Sequence, residues 1–312
     1  MFKAIVVAAV WIVAVTPVRA QDFVNILTGG TSGVYYPLGN ALSSIYAKAM
    51  PDARVTVQAT KASVENLNLL QLDRGEVAFT LGDSLTFAGK GDAEMGFPKP
   101  LDKLRTMAAI YPNYIQIVAS QESGIKTLAD LKGKRVSVGA PKSGTEVNAR
   151  TVFAAADLSY GDMSVQYLPF GESVELIKNR QLDATLQSAG LGVASIRDLA
   201  SSVPITVVSV PEAVVAKIED PSFLPAEIPA GTYDEQKDSV PTVAINNYLV
   251  TREGLDDDTV YTLTKATFDN LGDLAAAHAA AEAISLETAA QKPPVPLHPG
   301  AARYYREKGV LK

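Results

Sequence analysis

The sequence predicts an α/β protein built from two similar lobes. Three observations carry this. Apolar runs of strand length alternate with amphipathic helical patterns along most of the chain. Loops of glycine and hydroxyl residues sit where strand patterns give way to helix patterns. The order strand, Ser-Gly loop, helix, strand, Ser-Val-Glu helix, strand occurs twice, with Gly33 to Ser63 spanning 30 residues and Gly144 to Ser173 spanning 29.

The first twenty residues read as a leader. Lys3 precedes an apolar run from Ala4 to Val15, and Val18-Arg19-Ala20 forms a small-residue cleavage pattern, so export and cleavage after Ala20 are expected. The apolar run is short for a membrane span. The mature chain opens on a short apolar strand, Phe23 to Leu27. The loop GGTSGVYY follows, then a helix from about Tyr36. Glycine loops at helix starts present free N–H groups to anions, or simply make tight turns. Nucleotide fingerprints do not fit: Gly29, Gly30, Gly33 and Gly39 have the wrong offsets, and GAPKSGTE, from Gly139 to Glu146, lacks the lysine of a Walker loop.

Further strands are expected at VTVQA (55–59), VAFTL (77–81), IQIVA (115–119), RVSVGA (135–140) and ITVVSV (205–210). Helical patterns lie between them, including SVENLNLLQLD, TLADL, TEVNARTVFAAADL and SVELIKNR. Ser63 and Ser173 are placed to cap the two Ser-Val-Glu helices. Mostly parallel sheets follow from the alternation. Crossovers between lobes are expected near Ala109–Asn113 and Ile205–Val210. That gives lobe I as 21–110 plus 207–312, and lobe II as 111–206. The last third is helical, with acidic residues opening DDDTVYTLTKATFDNLGDLAAAHAAAEAI, and its helices are expected to pack back on lobe I.

Composition narrows the function. The net charge is −6, and removing Lys3 and Arg19 with the leader makes it −8, a poor balance for nucleic acid or anionic membranes. With no cysteine and only His278 and His298, thiolate chemistry and histidine-rich metal sites are excluded. No cofactor is implied. If the lobes face each other, two Ser-Gly loops and two Ser-Val-Glu helix starts converge on one cleft beyond the strand ends, rich in N–H and hydroxyl donors and able to close on a small anion or zwitterion by a hinge.

GGTSGVYYPLGNAL, LADLKGKRVSVGAPKSGTEVNAR, RQLDATLQ and the ending PLHPGAARYYREKG resemble the TAXI family, the extracytoplasmic solute receptors of TRAP-type transporters. The resemblance spans nearly the whole mature chain and includes immunogenic members of that family. It implies a type II periplasmic-binding-protein fold. It also implies a periplasmic monomer that delivers a small carboxylate ligand, such as glutamate, glutamine or 2-oxoglutarate, to a TRAP-type permease; a sensor protein is the alternative recipient. It points to Thr31, Ser32, Gly33 and Tyr35 in the first loop, Ser143, Gly144 and Thr145 in the second, and Tyr111 at the first crossover. The chain departs from the common pattern at Lys142, where many members have glycine, and at Leu81-Gly82-Asp83.

Other candidates come from position. Ser63 starts a cleft helix, and Gln187 ends a second-lobe strand. Asp83 is read either as an acceptor for a ligand ammonium or as a helix cap. Lys142 reads as a solvated loop lysine before a carboxylate partner, Ser143 as an N-cap as much as an anion donor, and Arg150 as an ion-pair partner. An enzyme is not expected. GDSLT (82–86) lacks the last glycine of a nucleophile elbow, and both histidines are remote from it.

Overall fold

In the computed structural model, which describes residues 23–312, ten strands form one hydrogen-bonded ladder flanked by helices. The leader and its cleavage site lie outside the described residues. The first half contains β1 (Phe23–Leu27), α1 (Tyr35–Ala49), β2 (Arg54–Gln58), α2 (Ser63–Gln71), β3 (Val77–Leu81) and α3 (Gly82–Lys90). The long β4 (Leu104–Ser120) leads into the second half. This holds β5 (Arg135–Ser137), α4 (Gly144–Ala155), β6 (Ser164–Gln166), α5 (Phe170–Lys178), β7 (Ala184–Ala189), α6 (Ala194–Ser202), β8 (Ile205–Val208), α7 (Glu212–Val215) and β9 (Leu224–Ile228). The chain returns along β10 (Val240–Arg252) and ends in α8 (Asp257–Asp269), α9 (Leu271–Ala277) and α10 (Pro299–Glu307).

The ladder runs β2-β1-β3-β10-β4-β7-β5-β6, with β8 on β4 and β9 on β10. Strands are parallel within each half, β2-β1-β3 and β7-β5-β6. Every pairing with β4 or β10 is antiparallel. The expectation of parallel sheets therefore holds inside each half and fails at the two strands that join them. VAFTL is buried at every position, as suits a strand covered on both faces.

Ala109–Asn113, where the first crossover is expected, lies within β4. The second is expected at Ile205–Val210. ITVVSV gives the four-residue β8, which pairs with Ile117–Ser120 of β4. Val208, Val210, Val215 and Phe223 share a core with Ile115, Val136, Phe153 and Leu186. Four residues reach only about 13 Å, whereas the 13 residues of β10 reach about 43 Å. Accordingly Val243 and Ile245 of β10 join that core, and Val250 joins the core of Leu27, Val64 and Leu85 in the first half.

The register between β4 and β10 slips between Asn246 and Tyr248, which face Pro112 and Ala109. Asn247 sits in that bulge, fully buried. Its Nδ2 donates to the Tyr111 carbonyl at 2.8 Å and to Asn113 Oδ1 at 2.7 Å, and its Oδ1 accepts from the Tyr35 hydroxyl.

The helix caps correct two readings. Ala62, not Ser63, is the N-cap of α2; Ser63 Oγ accepts from Leu81 N at 3.1 Å and so ties α2 to the end of β3. α5 starts at Phe170, ahead of Ser173, whose Oγ bonds Pro169 O and Ser137 Oγ. TLADL forms a single 3-10 turn boxed by Thr127 and Asp130.

The ending PLHPGAARYY is structural. His298 Nδ1 accepts from Gly300 N and caps α10, while Nε2 meets Leu255 O at 3.0 Å. Burial holds its pKa below the usual histidine value, which suits a neutral ring with one accepting nitrogen. A Cβ on Gly300 would stand 2.2 Å from Asp257 O, so glycine lets α10 lie against α8. Tyr304 and Tyr305 pack with Phe268, and Tyr305 donates to Met107 O at 2.7 Å. α8 and α9 also pack on α1, so the helical tail returns to the first half as expected.

Candidate functional site

A cavity of about 120 Å³ lies between the two halves. Four helix starts open into it: Tyr35 of α1, Ser63 of α2, Gly144 of α4 and Phe170 of α5 all line its wall. Each helix leaves N–H groups of its first turn without partners inside the helix, and each carries a partial positive charge there. α1, α2 and α5 have no side-chain cap; Ser143 caps α4, its Oγ accepting from Glu146 N at 3.1 Å.

Local chemistry shapes the loops. In the first, Gly33 N bonds Gly30 O at 3.1 Å to close a turn, and Gly30 has open space where a Cβ would stand. Two non-glycine residues lie at positive φ next to the cavity's serines: Ala62 at 75° before Ser63, and Lys142 at 63° before Ser143. Such geometry costs a non-glycine residue on the order of 1–3 kcal/mol, and it clusters at functional sites. It also gives a physical reason why glycine suits position 142.

Contacts hold the halves together around the cavity. Ser32 Oγ accepts from Gly171 N at 3.1 Å, and Lys142 O accepts from Glu65 N at 3.2 Å. Gly144 faces Ser63 so closely that a Cβ there would stand 2.5 Å from Ser63 Oγ. Behind this contact, Asn148 Nδ2 of α4 donates to Asp83 Oδ2 of α3 at 2.6 Å, both residues fully buried. Asp83 Oδ1 and Asn148 Oδ1 have no partner.

Burial raises the Asp83 pKa to about 7; Asp220 pushes it further up, and Ser84 beside it pulls partly back. The unfolded carboxyl titrates near 3.8, so between the two values the folded state holds the extra proton. Stability linked to Asp83 is therefore full below about 3.8 and is lost as pH rises through about 7, at no more than about 1.4 kcal/mol per unit. Melting temperature measured from pH 5 to 8 should fall more steeply in the wild type than in Asp83→Asn. Parallel curves would remove Asp83 as the cause.

Of the residues singled out from sequence, Ser32, Gly33, Tyr35, Ser63, Ser143, Gly144 and Thr145 line the cavity together. Thr31 is exposed and lines a separate shallow pocket with Tyr36 and Arg197. Asp83, Tyr111 and Gln187 are fully buried and do not line the cavity. Gln187 lies one residue off. Strand side chains alternate faces; Ser188 takes the cavity face, while Gln187 Oε1 accepts from Ser195 Oγ. Tyr111 packs near Gly190, its hydroxyl unpartnered. Arg150 pairs with Glu146 at 2.6 Å, as read from sequence.

The sequence profile of the NMT1-like family matches residues 26–309. The chain belongs to the NMT1-like family. The fold of this NMT1-like chain is that of periplasmic binding proteins. A solved periplasmic transporter structure is similar at a TM-score of 0.58 and 10% identity, covering 93% of this chain and 94% of that one. A structure titled as a putative L-cystine ABC transporter from Listeria monocytogenes aligns at 0.53 and 12% identity, over 85% of this chain and 98% of that one. A Bordetella bronchiseptica protein aligns at 0.52 and 18% identity, over 93% and 81%. The type II, two-lobed α/β fold expected from the sequence is therefore the one found.

In this NMT1-like chain, sequence reasoning missed Phe170, Thr60, Lys61 and Ser188. Phe170 and Lys61 had a signal: each stands just before one of the repeated Ser-Val-Glu triplets. Ser188 had none beyond its neighbour.

Proposed function

We propose that the protein is a periplasmic solute-binding protein that captures a small carboxylate ligand between two lobes and passes it to a TRAP-type membrane permease. The observation that carries this is the convergence of four helix starts from both halves on one cavity. The lobes we propose are the chain up to about residue 110 with the second half of β10 and everything after it, and the segment from β4 to the first half of β10. The TAXI-like loop and ending motifs support the TRAP partner; the likeness to the Listeria protein is one of fold. Binding is favoured over catalysis because Ser84 of GDSLT is fully buried in α3 and both histidines accept from backbone N–H groups at helix starts. Among the described residues no helix is long and apolar enough to cross a membrane.

A thermal-shift screen of organic and amino acids tests the reading. A true ligand at a hundred times its Kd stabilises by about 2.7 kcal/mol. Small-angle scattering should then show a smaller radius of gyration with ligand. A stabilising ligand that leaves the radius unchanged would remove the hinge from the proposal.

A further inference from the structure

The hydroxyls around the cavity are oriented by what their oxygens already accept. Ser32 Oγ accepts from Gly171 N, Ser63 Oγ from Leu81 N, and Ser143 Oγ from Glu146 N. Each of these oxygens receives a backbone proton, which leaves its own O–H to donate. Ser188, only 5% exposed, lines the same cavity with its Oγ unpartnered. The helix starts add N–H donors. The wall is thus rich in donors and poor in side-chain acceptors.

Charge points the same way. Lys61, exposed at the rim, is the one charged side chain among the described residues lining the cavity. No carboxylate lines it. Asp83, the residue that could have received an ammonium, is buried behind the wall against Asn148. Glu65 is turned to Lys61 N at 2.6 Å. The rest of the lining includes Val34, Leu81, Pro169 and Phe170. An ammonium placed here would lose its water and meet four positive helix ends with no counter-charge.

We infer that the cavity takes a carboxylic acid that carries no ammonium group, such as a 2-oxo or 2-hydroxy acid, and rejects the matching amino acid. This rests on the solute-binding reading above and narrows its ligand class. The carboxylate meets the helix starts, the 2-oxygen accepts from a wall hydroxyl such as Ser32, and the hydrocarbon part lies against Phe170 and Leu81. A cavity of about 120 Å³ limits that part to a few carbons; for scale, an engineered cavity of about 150 Å³ holds benzene.

The test is calorimetric titration with matched pairs of three to five carbons: pyruvate and alanine, 3-methyl-2-oxobutanoate and valine, 2-oxoglutarate and glutamate, with the corresponding 2-hydroxy acids. At least one oxo or hydroxy acid should bind a hundredfold or more tightly than its amino acid. Lys61→Met should weaken that binding about three- to tenfold and flatten its salt dependence. An amino acid that binds as tightly as its oxo partner overturns the inference and leaves the carboxylate reading standing. If no member of any pair binds, the carboxylate reading fails and the inference falls with it.

Discussion

Replacing Gly144 by valine should weaken ligand binding more than a hundredfold while the protein still folds. Gly144 is the first residue of α4 and does not lie at positive φ, so its backbone accepts a side chain. The obstacle is the other half of the molecule. A Cβ would stand 2.5 Å from Ser63 Oγ, 2.7 Å from Leu81 Cδ1 and 2.9 Å from Ser63 Cβ. Two of these atoms belong to Ser63 at the start of α2; Ser63 Oγ and Leu81 Cδ1 can turn aside, but Ser63 Cβ moves only with the helix. Valine therefore wedges the cleft open and separates the two sets of helix starts. Calorimetry with the ligand found by screening, together with scattering, checks this; wild-type affinity with full closure would sink it. Gly33→Ala is the control. Its Cβ would be 3.4 Å from Gly30 O and 3.8 Å from Phe170, ordinary contacts, so its affinity should stay within about threefold. Of the two loop glycines, the steric demand sits at Gly144.

Asn247→Leu should cost roughly 3–5 kcal/mol of stability. The volumes are similar, so the loss is one of hydrogen bonds. Leucine would leave the Tyr111 carbonyl, Asn113 Oδ1 and the Tyr35 hydroxyl without the partner each now has. Asn247 and Tyr111 are fully buried, and an unsatisfied buried polar group costs about 1–3 kcal/mol. Urea denaturation measures it. A change under about 1 kcal/mol would show that the three groups find other partners. Because Tyr35 also lines the cavity, the variant should bind ligand less tightly even where it remains folded.

These two positions mark how far the sequence could be read. Local signals were legible. VAFTL is β3 to the residue, and the helix expected from about Tyr36 is α1, which starts at Tyr35. The repeat placed both Ser-Gly loops on one cavity because each loop is fixed by its own strand and helix. What depends on distant partners was not legible. VPTVAINNYLVTR is not among the strands expected from the sequence, and nothing local says that it links β3 to β4; that is decided by its length and by the strands it pairs with. Asp83 looks like a ligand group until Asn148, 65 residues away, is seen to claim it. Gln187 and Ser188 differ only in which face of β7 they take, and a one-residue error reverses the assignment.

The crossing of β4 and β10 has a mechanical consequence. The two connections are paired to each other over most of β10's length, so they behave as one twisted ribbon and not as two separate cords. A pair of loose linkers would let the lobes swing, slide and rotate independently. A ribbon whose register slips at Asn246/Tyr248, where Asn247 pins it, and again at Leu249/Val250 resists shear and stretch and yields mainly by bending along that stretch. In the hinge motion we propose, the free protein then explores a narrow track of openings in place of a broad cloud. Little orientational freedom is left to lose when the cleft shuts, so more of each ligand contact appears as affinity.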